Sequence, residues 1–280
     1  MRNNQELPKW LSASLIAGAF GVLLLLERRR PLRRAVESKT IRDTRNLAVA
    51  GLAAAAMQFG EVPATYRLTK LVERRKLGLL KLIRLPQWLE IGLAVLLLDY
   101  TLYLWHVLTH KVPFLWRFHI VHHIDLDLDA STALRFHFGE IAISIIWRAG
   151  QILVIGVSPA ALTVWQMLLF VSILFHHSNV ELPINLERKL VRLIVTPRMH
   201  GIHHSIVREE TDSNWSSGLS IWDRLHKTLR LNESQNEITI GVPAYRALDD
   251  AALANILKLP FETQKSAWQL SEKAQNNQLT

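Results

Sequence analysis

The residues of this 280-residue chain most able to do chemistry are its twelve histidines, which are clustered. All twelve lie between His106 and His226, so the first 105 residues and the last 54 contain none. Spacings of three and four residues place side chains on one face of a helix, where imidazoles can converge on a metal ion. Eight histidines have these spacings: His106 and His110; His119, His122 and His123; and His200, His203 and His204.

The number of imidazoles predicts two metal ions rather than one. Zinc is satisfied by three or four nitrogen ligands and iron by about four to six, so eight exceed the needs of a single ion. The chain has no cysteine, which excludes thiolate sites, iron–sulfur clusters, disulfides and a cysteine nucleophile. Imidazole binds zinc, copper, iron and nickel alike, so the spacing alone does not choose the metal.

Two other classes of metal protein compete with this interpretation. A membrane zinc protease needs the helical H-E-x-x-H motif, in which glutamate is the general base. Here Val107, Ile120 and Gly201 occupy the positions after His106, His119 and His200, so that base is missing. A non-catalytic membrane protein that binds haem or metal for electron transfer is the second alternative. Haem needs one axial histidine per face, so the adjacent pairs His122–His123 and His203–His204 would serve no purpose there.

Five apolar blocks must position these histidines: residues 10–26, 47–59, 88–105, 141–157 and 160–175. Mean hydropathy is +0.13 although 20% of the residues are charged, so the apolar residues are concentrated in blocks close to the length of a membrane span. We therefore predict an all-α integral membrane bundle of about four to five membrane segments, rather than a soluble all-α protein. The first block is read as a retained anchor, because its positive charges follow it, whereas a signal peptide has them in front.

The distribution of basic residues predicts the orientation. If the third block spans the membrane, the histidine region shares one side with residues 28–45, which contain eight Lys or Arg, and with the tail after Phe175, which contains twelve. The positive-inside rule places this histidine-rich, metal-binding cap in the cytoplasm. Seven basic residues in 67–84 would then lie on the opposite side. Either that segment is an interfacial helix or residues 47–65 do not span.

The net charge of +9 is spread over short basic stretches beside apolar blocks. Anionic lipid headgroups lie at that depth, so the charge favours a membrane surface over nucleic acid as a partner.

Several motifs occur in a fixed order along the chain. They are DYTLYLWHVLTHKVPFLWRFHIVHH from Asp99 to His123, TALRFHFGE around His137, FHHSNVELP around His177, TPRMHGIHHS around His204, and ETDSNW with the later SIWDRL. Over roughly Trp88 to Phe261 the chain resembles the fatty acid hydroxylase superfamily, in its sterol desaturase-like branch. The resemblance implies a non-haem centre of two iron ions at the cytoplasmic membrane face. Such a centre uses O₂ and electrons to hydroxylate or desaturate a carbon of a lipid, either fatty acyl or sterol-like.

The resemblance also implies which residues bind iron. The expected ligands are His106, His110, His119, His122, His123, His137, His177, His200, His203 and His204. Of these, His137 and His177 are either ligands or close neighbours of ligands. His176 could be a ligand or only a neighbour, and His226 is expected not to bind.

Three further polar residues are expected in a second shell around the metal. Asp99 lies seven and eleven residues before His106 and His110, on the same helical face. It is expected to accept a hydrogen bond from a ligand imidazole or to pair with a structural partner such as Arg148. Asp212 and Asn214 lie in the ETDSN segment. They either support the ligands or cap a loop.

Three segments are predicted along the chain. They are 1–87 with the N-terminal membrane segments and basic loops, 88–262 as the di-iron domain, and 263–280 as a polar tail. The sequence shows no haem- or flavin-binding domain, so a separate protein is expected to donate the electrons. Neither the substrate, the choice between hydroxylation and desaturation, nor the oligomeric state follows from the sequence.

Overall fold

The computed structural model describes residues 9–269, which contain helices, turns and isolated bridges but no β-strand. Residues 270–280, most of the predicted polar tail, lie outside the described range. The helices are α1 (Lys9–Arg29), α2 (Lys39–Ala56), α3 (Val62–Arg75), α4 (Gln87–Lys111), α5 (Pro113–His123), α6 (Phe138–Ile155), α7 (Pro159–His177), α8 (Ile184–Leu190), α9 (Pro197–His203), α10 (Arg208–Thr211), α11 (Ile221–Leu225) and α12 (Leu253–Lys258). The predicted all-α class is confirmed for this range.

Four helical segments within the described range are long and apolar enough to cross a membrane. They are Lys39–Lys81, Gln87–Lys111, Phe138–Ile155 and Pro159–His177. The apolar block 10–26 lies within α1, whose side chains are described from residue 16 onward and at Ser14. The chain is therefore a helical protein with the elements of a membrane bundle.

The second apolar block is part of a longer helix than its composition indicates. A π-helical turn, Met57–Glu61, joins α2 to α3 without a break, so one helix runs from Lys39 to Arg75, about 55 Å at 1.5 Å per residue. The turn places Glu61 on the buried side, where its carboxylate lies 3.5 Å from Arg148 of α6. That ion pair lets a charged residue lie within an otherwise apolar stretch.

The clustered histidines lie at one end of the bundle, called the histidine end, and the opposite end is called the far end. The far end is marked by contact between Gly78, after α3, and Gly156, between α6 and α7. Both have positive φ, and a Cβ on Gly78 would lie 2.3 Å from the Gly156 nitrogen. At the histidine end, α4 and α7 finish and α6 begins. The basic residues from Arg74 to Arg84 thus lie away from the histidines, as the alternation of spanning blocks predicts.

Buried carboxylates hold the segment after α5 against the start of α2. Asp125 accepts hydrogen bonds from Arg42 at 3.0 Å and from Asn46 at 2.9 Å. Asp129 pairs with the same Arg42 and with Lys39. Burial alone would raise the pKa of Asp125, but the nearby guanidinium groups, led by that of Arg42, hold it below its usual value. This cluster fixes the exit of the helix that carries three of the clustered histidines.

Candidate metal centre

Nine histidines lie in two adjoining buried groups. The five-histidine site consists of His106, His110, His119, His123 and His203, and the four-histidine site of His122, His177, His200 and His204. Within each site, one ring nitrogen of every residue lies within 4.8 Å of the others. The adjacent pairs are divided between the sites: His122 and His123 face different groups, as do His203 and His204. Each of the two H-x-x-H-H motifs therefore contributes rings to both sites.

Four helices and one cap position supply these side chains. Helix α4 carries His106 and His110 in its last turns, α5 carries three histidines, α7 ends at His177, and α9 carries His200 and His203 with His204 at its C-cap. Both short histidine helices begin with proline, which has no N–H to leave unpaired in the first turn. Thr196 caps α9 by accepting a hydrogen bond from the Met199 N–H.

Backbone carbonyls fix the tautomer of three of these histidines. A carbonyl oxygen only accepts hydrogen bonds, so the ring nitrogen that faces it, Nδ1, carries the proton. The other nitrogen, Nε2, then keeps a lone pair that can bind a metal. The pairs are His106 with Trp215 at 2.7 Å, His203 with Ser213 at 2.8 Å and His177 with Ile173 at 2.7 Å.

The Glu140 carboxylate fixes the tautomer of His119 in the same way. Its Oε1 atom lies 2.8 Å from His119 Nδ1, and both side chains are buried. A carboxylate behind an imidazole fixes the ring and raises its basicity. We did not predict this residue from the sequence, although it is visible there as the last letter of TALRFHFGE. The missed signal is a carboxylate in the first turn of an apolar block, directly after a histidine motif.

In the five-histidine site, buried ring nitrogens lack partners. Neither nitrogen of His110 or His123 forms a hydrogen bond with any described residue, and the same is true of Nε2 of His119. Burying a polar atom without a partner costs about 1–3 kcal/mol. Several such atoms aimed at one another are accounted for when a metal ion accepts their lone pairs.

In the four-histidine site, the Nε2 atoms face one another. His177 Nε2 lies 3.0 Å from the Nε2 atoms of His122 and His200, and His204 Nε2 lies 3.1 Å from that of His200. Four nitrogens at about 2.0–2.1 Å from one tetrahedral ion would lie about 3.3 Å apart. The side chains are thus already close to the arrangement that one ion requires.

Five imidazoles outside the membrane helices are neutral at pH 7: those of His122, His123, His200, His203 and His204. Burial lowers the pKa of His122, His123, His200 and His204 well below the usual value, and neighbouring imidazoles lower it further. Burial also lowers the pKa of His203, to about 3. A neutral ring has the lone pair that a metal ligand needs.

His137 lies outside both sites, contrary to its expected place at the metal. Its Nδ1 accepts a hydrogen bond from the Gly139 N–H at 2.9 Å, and its Nε2 lies 3.2 Å from the Leu257 carbonyl. Both nitrogens are therefore engaged, and no lone pair is left for an ion. The ring caps the start of α6 and packs against Phe118.

His176 and His226, which are not among the ten expected ligands, lie in different parts of the structure. His176 is buried next to the four-histidine site, with its ring centroid 4.2 Å from that of His200, but it is not in the converging group. His226 is exposed at the surface, where its Nε2 lies 3.2 Å from the Tyr100 hydroxyl.

Asp99 contacts no ligand imidazole; its partners are structural, as the alternative expected, but Arg148 is not among them. It accepts hydrogen bonds from the Leu219 N–H at 3.0 Å and from the Trp222 indole N–H at 2.7 Å. The helical-face argument considers only α4, whereas residues 215–222 return over that face and reach the carboxylate. Asp99 thus holds the loop whose Trp215 carbonyl orients His106.

Asp212 and Asn214 do not contact the histidines either. Asp212 pairs with Lys111 at 2.6 Å. Asn214 ties α9 to the loop by donating to the Met199 carbonyl at 2.9 Å, and its φ is +53°. The ETDSN segment does reach the site, but through the backbone carbonyl of Ser213 between these two residues.

Comparison with known proteins gives a consistent picture. The profile of the family described as fatty acid hydroxylase matches residues 91–228. Ornithine lipid hydroxylase OlsE of Rhizobium tropici is 30% identical over 161 residues, which cover 56% of this chain and 46% of that protein. Alkylglycerol monooxygenase of Homo sapiens is 33% identical over 144 residues, 51% of this chain and 31% of that protein.

A sterol-acting protein is also similar. Cholesterol 25-hydroxylase of Mus musculus is 26% identical over 140 residues, 49% of this chain and 46% of that protein. The matched region thus spans less than half the length of each of these three relatives. No solved structure is significantly similar. The resemblance to the fatty acid hydroxylase family is thus confirmed over residues 91–228, which contain both histidine sites.

Proposed function

We propose that this protein is a membrane-bound non-haem di-iron oxygenase that uses O₂ and electrons to modify a lipid carbon. The observation that carries the proposal is the pair of adjoining histidine sites within the family-matched region. By name, the relatives are an ornithine lipid hydroxylase, an alkylglycerol monooxygenase and a cholesterol 25-hydroxylase, which favours hydroxylation over desaturation. The substrate class is a fatty acyl or sterol-like lipid.

The nine converging histidines are the proposed ligands. Five would hold one iron and four the other, with Nε2 as the donor atom wherever a carbonyl or Glu140 holds Nδ1. The choice of iron rests on the family, because imidazole would suit several metals. A haem role fits the geometry poorly, since each site gathers four or five rings around one point instead of placing one ring on each of two faces.

The protein's own part in the reaction is to hold the iron ions, to orient the histidine rings and to enclose the site. When bound, the iron pair would supply the oxidant for an unactivated C–H bond, which no amino-acid side chain provides. Glu140 and the carbonyls of Ser213 and Trp215 keep the rings in register. Burial of the histidines excludes water from the site, and the apolar helices α4 and α7 bring the membrane up to it. Electrons would come from a separate donor protein.

The proposed function is tested by comparing the lipids of cells with and without the gene by mass spectrometry. We expect one lipid class to lose 16 mass units when the gene is removed and to regain them when the wild-type gene is returned. A gene carrying His204→Ala should not restore the shift. The purified active protein should show no Soret absorbance. A stoichiometric haem signal with unchanged lipids would favour the electron carrier.

Glu140 is expected to act as a positioning residue for His119. Glu140→Leu should lower iron affinity or activity by about 10- to 100-fold, because the ring loses its only partner at Nδ1 among the described residues. Glu140→Gln, whose amide oxygen can still accept the hydrogen bond, should recover part of that loss. Chelator competition measures the affinity, and Glu209→Leu, an exposed change, is the control. Equal affinities for all three variants would contradict the role.

The histidine end is proposed to face the cytoplasm. Reporter fusions after Arg34 and at the C-terminus should both report cytoplasm, since basic residues concentrate at that end. A fusion after Lys76 should report the opposite side, because the helix from Lys39 to Arg75 runs from one end of the bundle to the other. A cytoplasmic signal after Lys76 would mean that this helix does not cross the membrane.

A further inference from the structure

A cavity of about 410 Å³ lies beside the end of α1, and its wall residues include none of the nine histidines. Its walls come from the loop after α1, from residues 126–129 after α5, and from residues 238–240. Leu126, Leu128, Ile238 and Ile240 give it apolar surface. Most of the other wall residues are charged. What the cavity can bind therefore depends on which acidic and basic side chains lack a partner inside the protein.

Each acidic group of the cavity wall has partners inside the protein. Glu27 pairs with Lys39 at 3.6 Å and Asp127 with Arg42 at 3.9 Å, and both cations are shared with Asp129. Glu27 accepts from the Ala130 and Asn179 N–H groups, Asp127 from the Val36 and Glu37 N–H groups, Glu37 pairs with Arg45, and Asp129 pairs with Arg42 and Lys39.

Three basic residues of the wall are uncommitted: Arg28, Arg33 and Arg34 form no ion pair within the part of the chain that the structure describes. Arg33 is the most confined. Its Nη1 contacts the side-chain oxygen of Gln235, while its Nε and Nη2 atoms are shielded from solvent and lack a described partner. Burial lowers the pKa of Arg33 to about 10, which still leaves it charged at pH 7. The cavity wall therefore carries three cationic guanidinium groups, those of Arg28 and Arg34 exposed and that of Arg33 enclosed.

Arg33 also contacts α9, the helix that carries His200 and His203. Its Nη1 lies 3.5 Å from the carbonyl of Pro197, the first residue of α9. A Cβ on Gly201 would lie 2.3 Å from the same nitrogen. Gly201 stands between His200 and His203, so a ligand held by Arg33 would be bound next to both histidine sites.

We propose that this cavity binds the anionic group of a membrane-lipid headgroup, a phosphate or a carboxylate, on Arg33. Guanidinium matches both anions with paired hydrogen bonds. The lipid source follows from position, because Arg28 lies in the last turn of the apolar helix α1 and Arg33 and Arg34 follow that helix closely, where headgroups lie. A free phosphate has the same chemistry and is separated from the lipid by experiment. The inference goes beyond the proposed oxygenase reaction and is tested without turnover.

Native mass spectrometry of the full chain in detergent measures the binding. The probes are dioleoyl phosphatidylglycerol and dioleoylglycerol, which share acyl chains and differ in the phosphate. We expect the phospholipid to bind at least about tenfold more tightly than the neutral lipid. Arg33→Gln should remove that preference, whereas Arg29→Gln, a change of equal charge outside the cavity wall, should keep it.

Thr239→Trp gives a second, independent variant. Thr239 is another residue of the cavity wall, so an indole there reduces the space for a headgroup and should also remove the preference, which decides the matter if Arg33→Gln fails to fold. Equal binding of the two lipids to the wild type, or an unchanged preference in Thr239→Trp, would overturn the proposal. Displacement of a bound phosphate ion without any binding of the phospholipid would overturn the headgroup source. None of these outcomes depends on whether the protein oxidises a lipid.

Discussion

Replacing His204 with alanine is expected to lower the metal content from about two ions per chain to about one. His204 is one of only four imidazoles in its site, so its loss leaves three rings there and leaves the five-histidine site complete. Because both ions are proposed to act together, lipid modification should fall by at least about 100-fold. Metal per chain is measured by elemental analysis of the purified protein.

Replacing His123 tests the other site and should have a smaller effect on metal content. Four imidazoles remain in the five-histidine site, which still satisfies a metal ion. The double variant His123→Ala with His204→Ala should lose metal from both sites. His226→Ala, at an exposed histidine next to Tyr100, should keep two ions per chain and serves as the control. Full metal content in the double variant would contradict the assignment of both sites.

Replacing Arg42 with methionine is expected to destabilise the fold by about 3–5 kcal/mol. Arg42 is buried and contacts Asp125, Asp127 and Asp129, so its removal leaves carboxylates buried without their main counter-ion. The segment that they anchor leaves α5 directly after His123, so both histidine sites should lose metal more readily. Thermal unfolding in detergent, followed together with metal release, measures the effect.

Arg192→Met is the matched control for that change, because Arg192 is exposed and surface charges contribute about 0–1 kcal/mol. An unfolding temperature of Arg42→Met equal to that of the control would show that the carboxylates are stabilised without Arg42. A fall in metal content at an unchanged unfolding temperature would assign Arg42 to the metal site alone.

The histidine spacing predicted much of the candidate site because it is a local property. Residues three and four apart share a helical face whatever the rest of the chain does, and His119, His122 and His123 do point into the centre. The division of His122 and His123 between two sites could not be read from the spacing. It depends on α7 and α9 approaching from other parts of the chain.

The errors arise where a distant segment decides the contact. Asp99 accepts a hydrogen bond from Leu219, which lies 120 residues later in the chain. Arg148 pairs with Glu61 because a π-helical turn rotates that carboxylate toward α6, which periodicity does not reveal. The Asp125 and Arg42 pair spans 83 positions. The sequence does mark the apolar blocks, whose composition alone limits where they can lie.

Incorporation of ¹⁸O into a lipid tests the central claim most directly. The iron-loaded wild-type protein, in membranes with a one-electron donor protein and ¹⁸O₂, should produce a lipid that carries one ¹⁸O atom. The same membranes with H₂¹⁸O and unlabelled O₂ should give an unlabelled product, and His204→Ala should give none. A lipid product whose oxygen comes from water, or modification that proceeds equally well without O₂, would contradict the proposed oxygenase.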